Sequence, residues 1–109
     1  MSSDPAILFN EAVALHRAGQ LLKAQSLYQK ILETNSQDVA VWRHLAAAIA
    51  QSGDLLQAIT ILKDGLLKAG SDAALHHDLG SLFLAQSLPY EAIASLKVAN
   101  DLDSQNKGI

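Results

Sequence analysis

A chain of 109 residues with 50% hydrophobic side chains and 11 acidic against 8 basic ones, a formal charge of -3, has the composition of one folded unit. Its charge is too small and too dispersed to draw nucleic acid or an anionic membrane. Cysteine is absent, which removes disulfides, thiolate zinc sites and cysteine nucleophiles from consideration. The opening Met-Ser-Ser-Asp-Pro has no basic segment ahead of an apolar one, and no apolar stretch approaches the roughly eighteen residues that span a bilayer. The expectation is a cytoplasmic protein.

Apolar residues at helical spacing, separated by breakers, predict six helices and no strand. The first covers about 6–18 and starts behind Asp4, an N-cap followed by Pro5 at the first helical position, where a missing N–H costs nothing. The second covers about 22–34. The third, about 40–51, carries Trp42, Leu45, Ala46 and Ile49 in one stripe. The fourth, about 55–68, has Asp54 as its cap and Leu55, Ala58, Ile59, Leu62 and Leu66 as its stripe. The fifth covers about 74–86, and the sixth, about 89–102, opens on Pro89, which the first turn of a helix tolerates. Short turns make each successive pair an antiparallel hairpin.

Residues of one type recur every 34 positions: Ala24, Ala58 and Ala92; the small Ala12, Ala46 and Gly80; the large Leu15, Ile49 and Phe83; and Tyr28, Leu62 and Leu96. Gly19 and Gly53 belong to another such series, with Ser87 in the third place. Five registered series across most of the chain identify an internal repeat. The alanines have a packing task, because a small side chain lets two helices approach while large residues a turn away fill the groove.

On these residues the chain resembles the tetratricopeptide repeat family, with repeats at 5–38, 39–72 and 73–106 of a single repeat domain over 1–109. Trp42, Leu45, Ala46, Ile49, Gly53, Leu55, Ala58 and Leu62 match the family pattern most fully. Leu8 and His76 stand where Trp42 stands, Glu11 replaces the leucine seen at Leu45 and Leu79, and Ser36, Gly70 and Ser104 occupy the usual proline position. Glu11 fits a first repeat with no earlier repeat against it. His76 is expected to be a half-buried packing residue with one ring nitrogen hydrogen-bonded.

The resemblance implies an all-α, right-handed superhelix of antiparallel helix hairpins, in which first helices line a concave groove and second helices form the convex back. Such a groove usually takes a peptide or a helix. By register it would carry Phe9, Asn10, Val13, His16 and Arg17, then Ala40, Arg43, His44, Ala47 and Gln51, then Ala74, His77, Asp78, Ser81 and Ala85. Some family members clamp a C-terminal carboxylate with lysines, asparagines and an arginine. The matching positions here, Phe9, Val13, His44, Ala74 and Asp78, lack those groups, so that activity does not carry over.

No catalytic reading competes. Adjacent His76 and His77 point about 100° apart around a helix, and His16, His44 and His77 lie on three different helices, so neither set is expected to hold zinc. No Gly-rich phosphate loop or nucleophile elbow occurs. Neither a metal nor a cofactor is expected. The partner is instead a protein or peptide, or the remainder of a parent protein. The alternative is an N-terminal region that positions substrate or regulates a larger enzyme, as in glycosyltransferases and sulfotransferases that carry such repeats. At the C-terminal end Ile93, Leu96 and Ala99 are expected to lack a covering repeat, since residues 103–109 are too short and polar to form a capping helix. A continuation of the chain, a homodimer mate packing end to end, or self-shielding would cover them.

Overall fold

The computed structural model describes residues 4–106. Expectations placed on Met1–Ser3 and on Lys107–Ile109 lie outside them. Six helices follow in order: α1 (Pro5–Arg17), α2 (Leu21–Thr34), α3 (Val39–Gln51), α4 (Leu55–Ala69), α5 (Ala73–Ala85) and α6 (Pro89–Asn106). No strand occurs among the described residues. The two predicted caps are in place: the Asp4 carboxylate accepts from Ala6 N–H at 2.8 Å and that of Asp54 from Gln57 N–H at 3.1 Å. Two more lie one and two periods after Asp4. Asp38 accepts from Val41 N–H, and Asp72 from both Ala74 and Leu75 N–H, so an aspartate starts every first helix.

The turns inside the hairpins explain the glycine series. Gly19, Gly53 and Ser87 all adopt positive φ, at 82°, 102° and 61°. The chain reverses there through the left-handed region, which suits glycine and strains serine. Ser87 keeps the conformation because the turn around it is held from both sides: its own N–H donates to Leu84 O, and Leu88 N–H donates to Phe83 O at 2.8 Å.

Each hairpin buries its own seam, and the seams join into one core running from Leu8 to Ala92. Ala12, Ala24, Ala48, Ala58 and Ala92 are fully buried at the helix crossings. At one crossing glycine goes further. A Cβ on Gly65 would stand 3.0 Å from Trp42 Cγ, so α4 presents bare backbone to the indole. The Trp42 Nε1–H donates to Ser36 O at 2.7 Å, which satisfies the one polar atom of a nearly buried ring. Every neighbouring pair along the chain packs together, and α1 also touches α3 as α3 touches α5. Among the described residues no such contact joins α2 to α4 or α4 to α6. The stack therefore closes on its odd-numbered side, which makes α1, α3 and α5 the inner wall of a right-handed superhelix of hairpins.

Two expectations need correction. Helix α6 runs on to Asn106 instead of ending near residue 102, because neither glycine nor proline interrupts it before Gly108. Leu96 and Ala99 do not form an open end: Ala99 is buried and Leu96 inserts toward Gly80, where an added Cβ would meet its Cγ at 2.7 Å. The reason is their register, since Leu62 and Tyr28 stand one and two periods before Leu96 and are fully buried in their own hairpins. Ile93 alone of the three is exposed, at 62%, whereas Ile59 one period earlier is covered at 6%.

Candidate functional site

Two different environments lie along the inner wall. Between α1 and α3 the wall is filled by rings. Phe9 meets His44 edge to face at a centroid distance of 5.0 Å, and fully buried Tyr28 rises from α2 to lie 6.1 Å from Phe9, 5.8 Å from His44 and 6.1 Å from His16. His16 Nδ1 and the Tyr28 hydroxyl share a hydrogen bond of 3.3 Å. Burial raises the Tyr28 hydroxyl above its ordinary pKa, since a phenolate there would lose its hydration. The His44 Nδ1 lies 2.8 Å from Ala40 O. A carbonyl only accepts, so Nδ1 carries the proton and Nε2 of the neutral ring is left as an acceptor.

Between α3 and α5 the wall opens into a cavity of about 400 Å³. Its base is made by buried Ala46 and Leu62 with half-buried Ala50 and Leu82, and its rim by Arg43, His44, Ala47, Asp78 and Ser81. Arg43 and Asp78 bridge the two helices through Nε–Oδ2 at 2.7 Å and Nη2–Oδ1 at 3.3 Å. That hydrogen bonding raises the guanidinium above its ordinary pKa against the opposing effect of burial. Both side chains reach solvent, so the pair is worth roughly 0–1 kcal/mol and serves mainly to set geometry. Arg43 also borders a second cavity of about 360 Å³ against α5 and α6, which includes His77 and Leu96.

The residues expected in the groove lie on the odd helices. Phe9, Val13, His16 and His44 are half-buried, while Asn10, Arg17, Arg43, Ala47, Gln51, His77 and Ser81 are exposed. Asp78 is half-buried and held by Arg43, with His77 Nδ1 at 3.8 Å. The structure gathers Phe9, His16 and His44 into one cluster and Arg43, His44, Ala47, Asp78 and Ser81 around the cavity, with Asn10, Arg17 and Gln51 outside both. His76 is half-buried and its Nε2 lies 3.0 Å from Ser71 Oγ, as its place in the core series predicts. Tyr28, Ala46, Ala50, Leu62 and Leu82 join the site from the core pattern; Tyr28 and Leu62 are reached only by tracing where second helices touch the inner wall. Among the described residues no group of three or more His, Asp or Glu could hold a metal ion, and no helix is long and apolar enough to cross a membrane.

No curated protein sequence matches the chain. Among solved structures, the Yersinia enterocolitica type III secretion translocator chaperone SycD superposes with a TM-score of 0.84 at 18% identity, over 95% of this chain and 79% of that one, in an alternative dimer form. SycD in complex with a peptide of the translocator YopD gives 0.82 at 19% identity, over 94% and 78%. MamA of MSR-1 gives 0.79 at 20% identity over 94% of this chain. The chain spans 59% of the MamA length. These likenesses concern the fold. The tetratricopeptide repeat profile matches residues 15–82, which run from the end of α1 through α2, α3 and α4 into α5 and make up more than half of the chain, and the chain belongs to the tetratricopeptide repeat family.

Proposed function

We propose that this chain is a protein-interaction module that holds a peptide or helix of a partner along the wall formed by α1, α3 and α5. The observation that carries the reading is the cavity between α3 and α5: an alanine-rich, apolar base with Arg43, His44, Asp78 and Ser81 at its rim. A concave site of this make-up offers burial for apolar side chains and a few polar groups to fix the orientation of a backbone. The convex helices α2, α4 and α6 expose scattered large apolar residues such as Leu22, Leu67 and Tyr90. SycD, which shares the fold, has been solved with a peptide bound, and this supports the same use of the fold here.

The test is a titration of selected peptides against the native chain and against an Arg43→Ala/His44→Ala double variant. Affinity should fall about tenfold or more while the melting temperature stays within a few degrees, because both side chains are at least partly solvated. Equal affinity in the two proteins would move the binding face elsewhere.

A further inference from the structure

The 34-residue period makes the first repeat an internal control for the cavity. Stepping back one period from Arg43, Ala50, Leu62 and Asp78, which line it, leads to Phe9, His16, Tyr28 and His44. Those four are the whole ring cluster between α1 and α3. The four positions that carry rings in one repeat thus carry none in the next, where His44 alone brings a ring to the cavity. Ala47 and Ala50 stand where Val13 and His16 stand, and Leu62 where Tyr28 stands, so the cavity is the volume vacated by larger side chains.

We infer that the cavity between α3 and α5 receives an aromatic side chain of a polypeptide partner, which completes there the ring packing that the protein supplies for itself between α1 and α3. This rests on the groove reading above and names the chemistry of its occupant. Three observations on the rim fit a neutral ring. Arg43 is held at the edge by Asp78, its planar guanidinium presenting a surface on which an aromatic face stacks well. The Asp78 carboxylate opposes an anionic anchor, while the paired guanidinium beside it opposes a cationic one. Ser81 and His44 line the cavity and bring a hydroxyl and a ring nitrogen to it as acceptors for a phenol or indole hydrogen, much as His16 and the Tyr28 hydroxyl meet at 3.3 Å in the first repeat. The volume, about 400 Å³, lies at the small end of ligand sites, for which about 300–1,000 Å³ is usual. It suits a single anchor better than a row of them.

A random peptide library selected on the intact chain tests this, with binders mapped by amide chemical shifts. Each is then titrated against Ala47→Leu and Ser81→Leu, which fill the cavity from its two walls at exposed positions, with circular dichroism confirming that both variants fold. The expected result is shifts along α1, α3 and α5, one shared aromatic residue in the peptides, and a loss of about tenfold or more on either filling substitution and on replacing that residue by alanine. The peptide-side replacement needs no change to the protein. Peptides that map to the same wall but share no aromatic residue, or that bind both filled variants undiminished, overturn the cavity assignment and leave the groove reading standing. Peptides that map to α2, α4 and α6 overturn both.

Discussion

Replacing Gly65 by alanine sets two effects of similar size against each other. In an exposed helix the change stabilises by about 1 kcal/mol, because alanine loses less backbone entropy. Here the new Cβ would stand 3.0, 3.1 and 3.2 Å from Cγ, Cβ and Cδ2 of Trp42. All three belong to the root of the indole, which cannot swing aside without breaking its 2.7 Å hydrogen bond to Ser36 O. Overpacking of this kind costs about 1–3 kcal/mol. The clash should win, leaving a net loss of about 1 kcal/mol, or roughly 4–8 °C in melting temperature for a domain of this size. Urea unfolding followed by circular dichroism measures the first quantity. The emission of Trp42, the one tryptophan in the chain, reports whether its ring has moved. A second arm uses the residues that the first repeat carries at these positions, Leu8 and Ile31. Trp42→Leu should leave a void and Gly65→Ile should overfill, yet the double variant should be more stable than the sum of the two losses by about 0.5–3 kcal/mol. A Gly65→Ala protein that gains stability with unchanged emission would refute the argument that the indole is pinned against α4.

The remaining predictions concern turn, cap and ring. Ser87→Gly should raise stability by about 0.5–1 kcal/mol, since a left-handed residue costs roughly 1–2 kcal/mol and glycine's extra unfolded-state entropy takes part of that back; differential scanning calorimetry would show the gain. Asp72→Ala should cost about 1 kcal/mol by leaving Ala74 and Leu75 N–H without their shared acceptor, read from the urea midpoint, with Asp72→Asn nearly neutral. Tyr28 gives a signed pH dependence. Its folded-state pKa lies above the ordinary tyrosine value of 10.0, so the unfolded chain loses that proton first. The associated stability is complete below pH 10 and falls as pH rises towards the folded value. Urea midpoints between pH 9 and 11 should decline more steeply for the native chain than for Tyr28→Phe, and parallel curves would contradict the burial argument.

Much of the fold was legible because the repeat states each packing rule three times. The series through Ala24, Ala58 and Ala92 and through Tyr28, Leu62 and Leu96 marks the same contacts in every hairpin, and breakers fix the turns between them. The extent of α6 was not legible, since polar residues such as Asp103 and Gln105 can continue a helix as readily as end one. The burial of Leu96 and Ala99 was implied by their register, but the absence of a following repeat suggested exposure. Only the space beside Gly80 shows that α5 receives Leu96 and leaves Ile93 outside. At the site, helical register placed side chains on the inner wall but could not say how they pair. Arg43 and Asp78 lie 35 residues apart on different helices, and their contact depends on how closely α3 and α5 approach. The cavity was hidden for a related reason. Ala46, Ala50 and Leu62 read as core residues in the pattern, and whether three such residues close a gap or leave one depends on the volume of their neighbours.

The claim that the inner wall is the binding face is tested most directly by transferring saturation from a bound, selected peptide to the amide protons of this chain. The account predicts that attenuation concentrates on α1, α3 and α5, strongest at Arg43, His44, Ala47 and Ser81 around the cavity. Attenuation confined to α2, α4 and α6, or to the exposed face of α6 around Ile93, would contradict it.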